Sequence, residues 1–319
     1  MRKLILLLLS LILILSSCEL FMDEPEMGDV YAIIVGLDYK NNADQKNLKG
    51  TLNDVDELHI VFGKMAEISN SDYFGYTFKQ EGVPYTSAVN YSIGTNNVNS
   101  YPSIANIEHA INALINVTDD NDLVLFSYSG HGGEDGSIAL AKTSASDESY
   151  FYQPQNILDL FTNVKGRKLI ILDTCFSGLS LPDNPGSSNT VLGSSIDDWY
   201  AKYWDKTSYD LPDLFVLTAS GPTESYEDNF MDDHWHGLFT KGLLKALGWS
   251  HPHPDPDAQQ IPPAAKGSVL TVDSLYGYIL DFIEEHPDFN PQWNILKLNE
   301  ITQHPLVSGG AMDMVLFRF

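Results

Sequence analysis

Two cysteines, Cys18 and Cys175, are all that this chain of 319 residues contains. That excludes a disulfide framework, because a small bridged scaffold needs several paired thiols. Basic residues are also scarce. Lys and Arg together number 18 against 43 Asp and Glu, a formal net charge of −25. Such a balance argues against nucleic acid as a partner and against adhesion to anionic lipid. No internal repeat is evident, so a solenoid or propeller is not indicated. The long apolar run near the start, Leu4 to Leu15, is too short to cross a bilayer comfortably.

That run follows Met1-Arg2-Lys3 and ends in Ser16-Ser17-Cys18. A basic start, a short apolar core and small residues at the end have the organisation of a secretory signal. Leu15-Ser16-Ser17-Cys18 resembles the lipobox of bacterial lipoproteins. The resemblance implies cleavage before Cys18, acylation of its thiol, and export to a bacterial membrane face, with the outer membrane or cell surface favoured over the inner membrane. Residues 1–17 are then a signal peptide and residues 18–29, acidic and proline-containing, a tether. Several acyl chains on one residue anchor a protein stably where one does not. Cys175 would be left as the single thiol of an exported body, in an oxidising milieu where a lone thiol is a liability unless buried or useful.

From residue 30 onward the pattern alternates. Apolar runs at 31–35, 123–128, 169–172 and 214–219 read as buried strands. Helical periodicity covers 51–65, 104–115, 154–161, 237–247 and 272–285. A further strand is expected near 74–79, a loop or hairpin over 134–152, and a last strand within 311–319; the rest of 69–102 reads as loop. Strands alternating with helices predict an α/β fold: a mainly parallel sheet with helices on both faces, in a single domain over 30–319. The long Gly-, Ser-, Asp- and Pro-rich stretch 177–212 is expected to be a functional loop or to lack fixed structure.

Two of the strands finish in reactive residues. Asp122 to Gly133 reads D-L-V-L-F-S-Y-S-G-H-G-G, and Arg167 to Gly178 reads R-K-L-I-I-L-D-T-C-F-S-G. The first strand ends at His131 and the second at Cys175, where open α/β sheets place their ligand sites. A thiol is a weak nucleophile at neutral pH until a neighbouring base takes its proton. Cys175 is the candidate nucleophile and His131 the candidate general base and acid. The backbone N–H groups of Gly132 and Cys175 are the candidate oxyanion donors. No third, orienting residue is evident in the sequence.

S-G-H-G and D-T-C-F-S-G, each after a buried strand and with His before Cys, resemble the caspase-like cysteine peptidases. The spacing between the two residues is near the caspase spacing of about 50. Within that group the chain is most similar to the metacaspases and their bacterial relatives. The resemblance extends through Tyr31–Gly36, Leu48–Asp54, Leu217–Ser220, Glu224–Glu227, Gly237–Thr240 and Gln303–Pro305, in that order. It implies a caspase-like fold and endopeptidase activity through a thioester on Cys175. It also implies that Asp54, Ser129 and Asp173 line the S1 pocket. Two carboxylates and a hydroxyl there would favour Arg or Lys at P1 and repel Asp. Peptides or proteins with a basic P1 residue are the expected partners, with the membrane met only through the lipid anchor. Two rival readings remain open: an inactive module that binds peptide in the same groove, and a transpeptidase that hands the same thioester to an amine.

No cofactor is required for this chemistry. Some metacaspases need calcium, and Asp183, Asp197, Asp198 and Asp205 follow the nucleophile here, though their spacing fits no EF-hand loop. Calcium as an activator is an expectation that rests on the resemblance alone. Self-cleavage at Lys202 or Lys206 has the same basis. His234, His236, His251 and His253 match no strong ligand spacing, so no metal site is expected from them.

Overall fold

A computed structural model of the chain describes residues 27–40, 42, 44–80, 88–133, 135–144, 150–175, 213–220, 225–228, 234–249, 261–285, 303, 305–309 and 313–319. Residues 1–26, which include Cys18, the expected signal peptide and most of the expected tether, lie outside them. So do the four loop aspartates, Lys202, Lys206, His251 and His253. Among the described residues no helix is long and apolar enough to cross a membrane.

The elements run β1 (Val30–Leu37), α1 (Thr51–Ile68), β2 (Tyr73–Gln80), β3 (Asn90–Ile93), β4 (Asn96–Asn99), α2 (Ile104–Leu114) and β5 (Leu123–Ser129). They continue through β6 (Ile138–Ala139), β7 (Phe151–Tyr152), α3 (Pro154–Phe161), β8 (Arg167–Asp173), β9 (Leu214–Thr218), β10 (Glu227–Asp228) and β11 (His236–Gly237). The chain closes with α4 (Leu238–Ala246), β12 (Val269–Thr271), α5 (Val272–Glu284), β13 (Leu306–Gly309) and β14 (Val315–Arg318).

Six strands form the central sheet, in the order β13-β9-β8-β5-β1-β2. Five run parallel, and β13 pairs antiparallel with β9 at one edge. Their continuous apolar sequences follow from burial on both faces. Along β1, Tyr31, Ile33, Val35 and Leu37 point to one layer, while Val30, Ala32 and Ile34 point to the other. The first layer is covered by α2 and α3 through Ile107, Ile111, Ile157 and Phe161. The second is covered by α1, α4 and α5 through Leu58, Val61, Leu243, Leu275 and Ile279.

Local chemistry sets the helix starts. Ser103 accepts a hydrogen bond from Asn106 N and caps α2, and Thr271 with Ser274 forms a reciprocal capping box at α5. Pro154 sits at the first turn of α3, where a missing N–H costs nothing.

The chain order of the sheet reverses beside β1. From β1 the chain first adds β2 on one side and then β5, β8 and β9 on the other. Ligands of open α/β sheets bind at the carboxyl ends of the strands flanking such a reversal. Here Gly36, Ser129 and Asp173 form one row across β1, β5 and β8, since Gly36 pairs with Ser129 and Ser129 with Asp173.

One local expectation needs correction, and two placements are new. The stretch read mostly as loop before α2 contains the hairpin β3–β4, whose polar Asn-rich strands carry little apolar alternation. The expected last strand is present as β14, which pairs with β12 in a separate two-stranded sheet. The edge of the central sheet is instead formed by β13, which had no strand-like signal beyond Leu306 and Val307.

Phe126 is fully buried on β5 and meets Phe161 edge-on at 6.0 Å. Phe126→Ala should lower the unfolding free energy by about 3–5 kcal/mol. Ile60→Ala, on the exposed face of α1, should change it by no more than about 0.5 kcal/mol. Urea denaturation of both variants checks the assignment of these faces.

Candidate active site

The ends of β5 and β8, the loop after β1 and the segment 225–228 enclose a cleft of about 580 Å³. His131 and Cys175 both line it, as do Ser129 and Asp173. The strand pairing brings the two reactive residues together: Gly130 N donates to Asp173 O at 3.2 Å, which ties the turn after β5 to the end of β8.

His131 is held from three sides. Its backbone N–H donates to Tyr39 Oη at 2.9 Å, and its carbonyl accepts from Tyr128 Oη at 2.8 Å. The Tyr39 ring packs against the imidazole with centroids 4.6 Å apart. Nε2 lies 2.6 Å from the carbonyl oxygen of Lys46. A carbonyl can only accept, so Nε2 carries the proton and the basic lone pair is on Nδ1. Burial lowers the His131 pKa, which keeps the ring neutral and able to accept a proton near pH 7. Tyr39 has φ 56, a left-handed backbone that a tyrosine adopts only when its surroundings compel it. Its hydroxyl, which accepts from His131 N and donates to Ala139 O, compels it here.

Cys175 is half-buried and unbridged, and its thiol donates to Ser225 O at 3.6 Å. Gly132 packs directly on the Cys175 backbone: a Cβ there would collide with the Cys175 carbonyl oxygen. This is the position where only glycine permits the approach. Gly132 faces Ile138 across the short hairpin, but the hairpin's bonds run through Gly133 N and Ala139 N. The Gly132 N–H is thus spared from the hairpin.

The three residues expected at S1 are close neighbours, on the α1–α4 side of the sheet. Ser129 Oγ donates to Asp54 Oδ2 at 2.7 Å. Asp54 is fully enclosed and lies behind Ser129 rather than on the cleft wall. Its other contacts are Gly237 N at 3.2 Å and His236 Nδ1 at 2.8 Å. Asp173 does line the cleft. Its Oδ1 accepts from Ser225 Oγ at 2.8 Å, and its Oδ2 accepts from Thr240 N at 2.9 Å and Thr240 Oγ1 at 2.7 Å. Three donors leave a carboxylate room for one more. Burial, then the charge of Asp54, push the Asp173 pKa up to about 7. Gly237 allows this packing, since a Cβ there would strike Asp173 Oδ2.

Several site residues were invisible as such in the sequence. Lys46 acts through its carbonyl, which any residue could supply. Ser225, Tyr226 and Glu227 fall in the E-S-Y-E motif, Thr240 in G-L-F-T and Gln303 in Q-H-P, so those motifs supply the frame of the site. Gln303 Oε1 accepts from Tyr226 N at 3.0 Å, and its Nε2 donates to Ala219 O and Ser225 Oγ. Glu227 accepts from Gly50 N at 2.6 Å and from Lys49 N, while Lys49 Nζ stands 4.0 Å over the Trp235 ring. His236 had been weighed only as a metal ligand. Burial would lower its pKa, but hydrogen bonds to Asp54 and Glu57 outweigh burial and hold it up at about 9. Burial likewise would raise Glu57, and its bonds with His236 and His234 instead bring it down to about 2.

The chain is 29% identical over 166 residues to metacaspase-1A of Aspergillus oryzae, an alignment spanning 48% of this chain and 36% of the relative's length. Its fold is similar to that of caspase-1 from Spodoptera frugiperda, with a TM-score of 0.51 and 13% identity over 92% of this chain and 90% of that one. A Geobacter sulfurreducens protein matches with a TM-score of 0.47 and 16% identity over 89% of this chain and 94% of that one. Residues 29–269 match the family model of the caspase domain, Peptidase_C14, and the chain therefore belongs to the caspase-domain peptidase family.

Proposed function

We propose that the protein is a cysteine endopeptidase that cleaves after Arg or Lys, exported and held at a bacterial membrane by acyl chains on Cys18. The observation that carries the catalytic part is the 2.6 Å contact between His131 Nε2 and the Lys46 carbonyl, which assigns the tautomer. With Nε2–H committed to Lys46 O, Nδ1 is the base, in a neutral ring, in the same cleft as the thiol. His131 Nδ1 takes the thiol proton as Cys175 Sγ attacks the scissile carbonyl, and returns it to the leaving amine. The Gly132 and Cys175 N–H groups receive the oxyanion. Water then opens the thioester, with His131 again as base, and restores the thiol. This route needs no cofactor; calcium activation rests on aspartates outside the described residues.

The basic preference follows from Asp173, with Ser129 and Glu227 beside it on the cleft wall. Asp54 contributes indirectly, by orienting the Ser129 hydroxyl. A guanidinium or ammonium would fill the remaining acceptor position on Asp173 and offset the desolvation that now opposes its charge.

Hydrolysis of fluorogenic peptides ending in Arg, Lys or Asp tests the assignment. Turnover after Arg or Lys should fall at least about 1000-fold in Cys175→Ala and in His131→Ala. Turnover confined to Asp peptides would leave the dyad standing and remove the pocket assignment.

The pH dependence separates the two titrating groups. Asp173 is raised, so its carboxyl is protonated below about 7 and charged above. KM for an Arg peptide should fall as pH rises through about 7, and this limb should vanish in Asp173→Asn. His131 is lowered, so the acid limb of kcat should lie below the ordinary histidine value of 6.5 and persist in that variant. A KM independent of pH in the wild type would contradict the role of Asp173.

Tyr39→Phe should reduce kcat by about tenfold, because a buried His131 N–H loses its acceptor at a cost of roughly 1–3 kcal/mol. Unchanged kinetics in that variant would show that Tyr39 does not position the imidazole.

A further inference from the structure

Behind the cleft wall lies a cluster of side chains that the proposed peptidase chemistry does not use. Glu57 follows Asp54 by three residues on α1, so both face the same way. His234 and His236 flank Trp235 on an extended strip, and alternation turns both imidazoles to one side. The potential ligand atoms of Glu57, His234 and His236 all lie within 4.8 Å of one another. His234 Nε2 is 2.6 Å from Glu57 Oε1, and His236 Nε2 is 3.4 Å from Glu57 Oε2.

His236 supplies the second, independent observation. It is 0% exposed, its Nδ1 is bonded to Asp54 Oδ1 at 2.8 Å, and its Nε2 is turned toward Glu57 Oε2 at 3.4 Å, a separation long for a hydrogen bond. A buried imidazole whose Nδ1–H is held by a carboxylate and whose Nε2 points at further ligating groups is the arrangement that orients a metal-bound histidine.

We propose that Glu57, His234 and His236 form a binding site for a divalent d-block cation of the zinc class. Two imidazole nitrogens and one carboxylate suit such an ion, whereas calcium and magnesium take oxygen ligands. For ligand bonds of about 2.0–2.1 Å in tetrahedral geometry, ligand atoms sit roughly 3.3 Å apart. The His236–Glu57 separation of 3.4 Å already has this value. The His234–Glu57 separation, 2.6 Å to the other carboxylate oxygen, must open by roughly 0.7 Å and the carboxylate turn to offer the ion one oxygen, which a histidine side chain 26% exposed can accommodate. A fourth position would be left to water. On binding, the ion takes the place of the Nε2 protons, which pass to solvent.

The site's location gives it a consequence. Trp235 and Gly237 line the cleft, and Asp54 holds both His236 and Ser129. The ion would pin α1 to the 234–237 strip and so fix one wall of the specificity pocket.

The test uses the full chain carrying Cys175→Ala, since a free thiolate itself binds zinc. Zinc binding is measured by competition with a chromogenic chelator, and cobalt(II) is used as a spectroscopic probe. One tight equivalent is expected, with the visible absorption of a four-coordinate cobalt centre. Adding His234→Ala or Glu57→Gln should weaken binding at least tenfold and abolish the cobalt spectrum. Adding His251→Ala and His253→Ala should change neither. His234 is partly exposed, so its replacement leaves the core intact, and circular dichroism confirms this. No stoichiometric binding overturns the proposal. So does equal binding in the His234→Ala protein, or loss of the tight equivalent in the His251→Ala, His253→Ala protein. Closure of the cluster by protons alone is the first of these outcomes.

Discussion

Two carboxylates, Asp54 and Asp173, are enclosed at the carboxyl ends of the strands, and much of the surrounding structure is arranged around that fact. Enclosing an anion is expensive unless donors and countercharge replace the lost water. For Asp54 they are the Ser129 hydroxyl, the Gly237 N–H and the His236 ring. For Asp173 they are Ser225 and both donors of Thr240. These donors come from β5, β11, α4 and the segment before β10, so the carboxylates draw distant parts of the chain to one point. The compensation is uneven. Asp54 has an imidazolium beside it, while Asp173 has only neutral donors and its pKa rises to about 7. Asp173 is thus the group with most to gain from a cationic side chain, which is the physical basis of the proposed preference.

The catalytic pair depends on the same strand register. Ser129 and Asp173 are paired residues, and His131 and Cys175 each follow two positions later. A slip of one residue between β5 and β8 would turn the pair on one strand away from the pair on the other. Precision in the imidazole comes from elsewhere: the loop after β1 contributes both the Tyr39 hydroxyl and the Lys46 carbonyl. One loop therefore fixes where the ring sits and which nitrogen is basic, and the left-handed conformation at Tyr39 is the local strain that accompanies this.

Much of this was legible in the sequence because burial leaves a pattern. The four central strands are continuous apolar runs ending in small or polar residues, and the helices carry clear apolar stripes, so the α/β alternation and the two strand-end residues could be read directly. What was not legible has physical reasons. Lys46 works through a backbone atom, which carries no residue signature. The β3–β4 hairpin is short and mostly polar, and it reaches the core through only Ile93 and Val98, with Tyr91 packed beside them, too few apolar positions to mark it as a strand pair. The placement of β14 depends on its pairing with β12 across the whole of α5, a tertiary choice that local alternation cannot make. Likewise Glu57, His234 and His236 are far apart in sequence, and the spacing of the histidines alone gave no reason to join them.

The central claim is that Cys175 is a nucleophile activated by His131 in front of an acidic pocket. It is tested most directly by covalent labelling. Peptidyl acyloxymethyl ketones with Arg or Asp at P1 would be incubated with the intact protein and read by mass spectrometry. One adduct on Cys175 is expected from the Arg reagent, little from the Asp reagent, and none in His131→Ala. Equal labelling by both reagents, or labelling that survives the loss of His131, would contradict it.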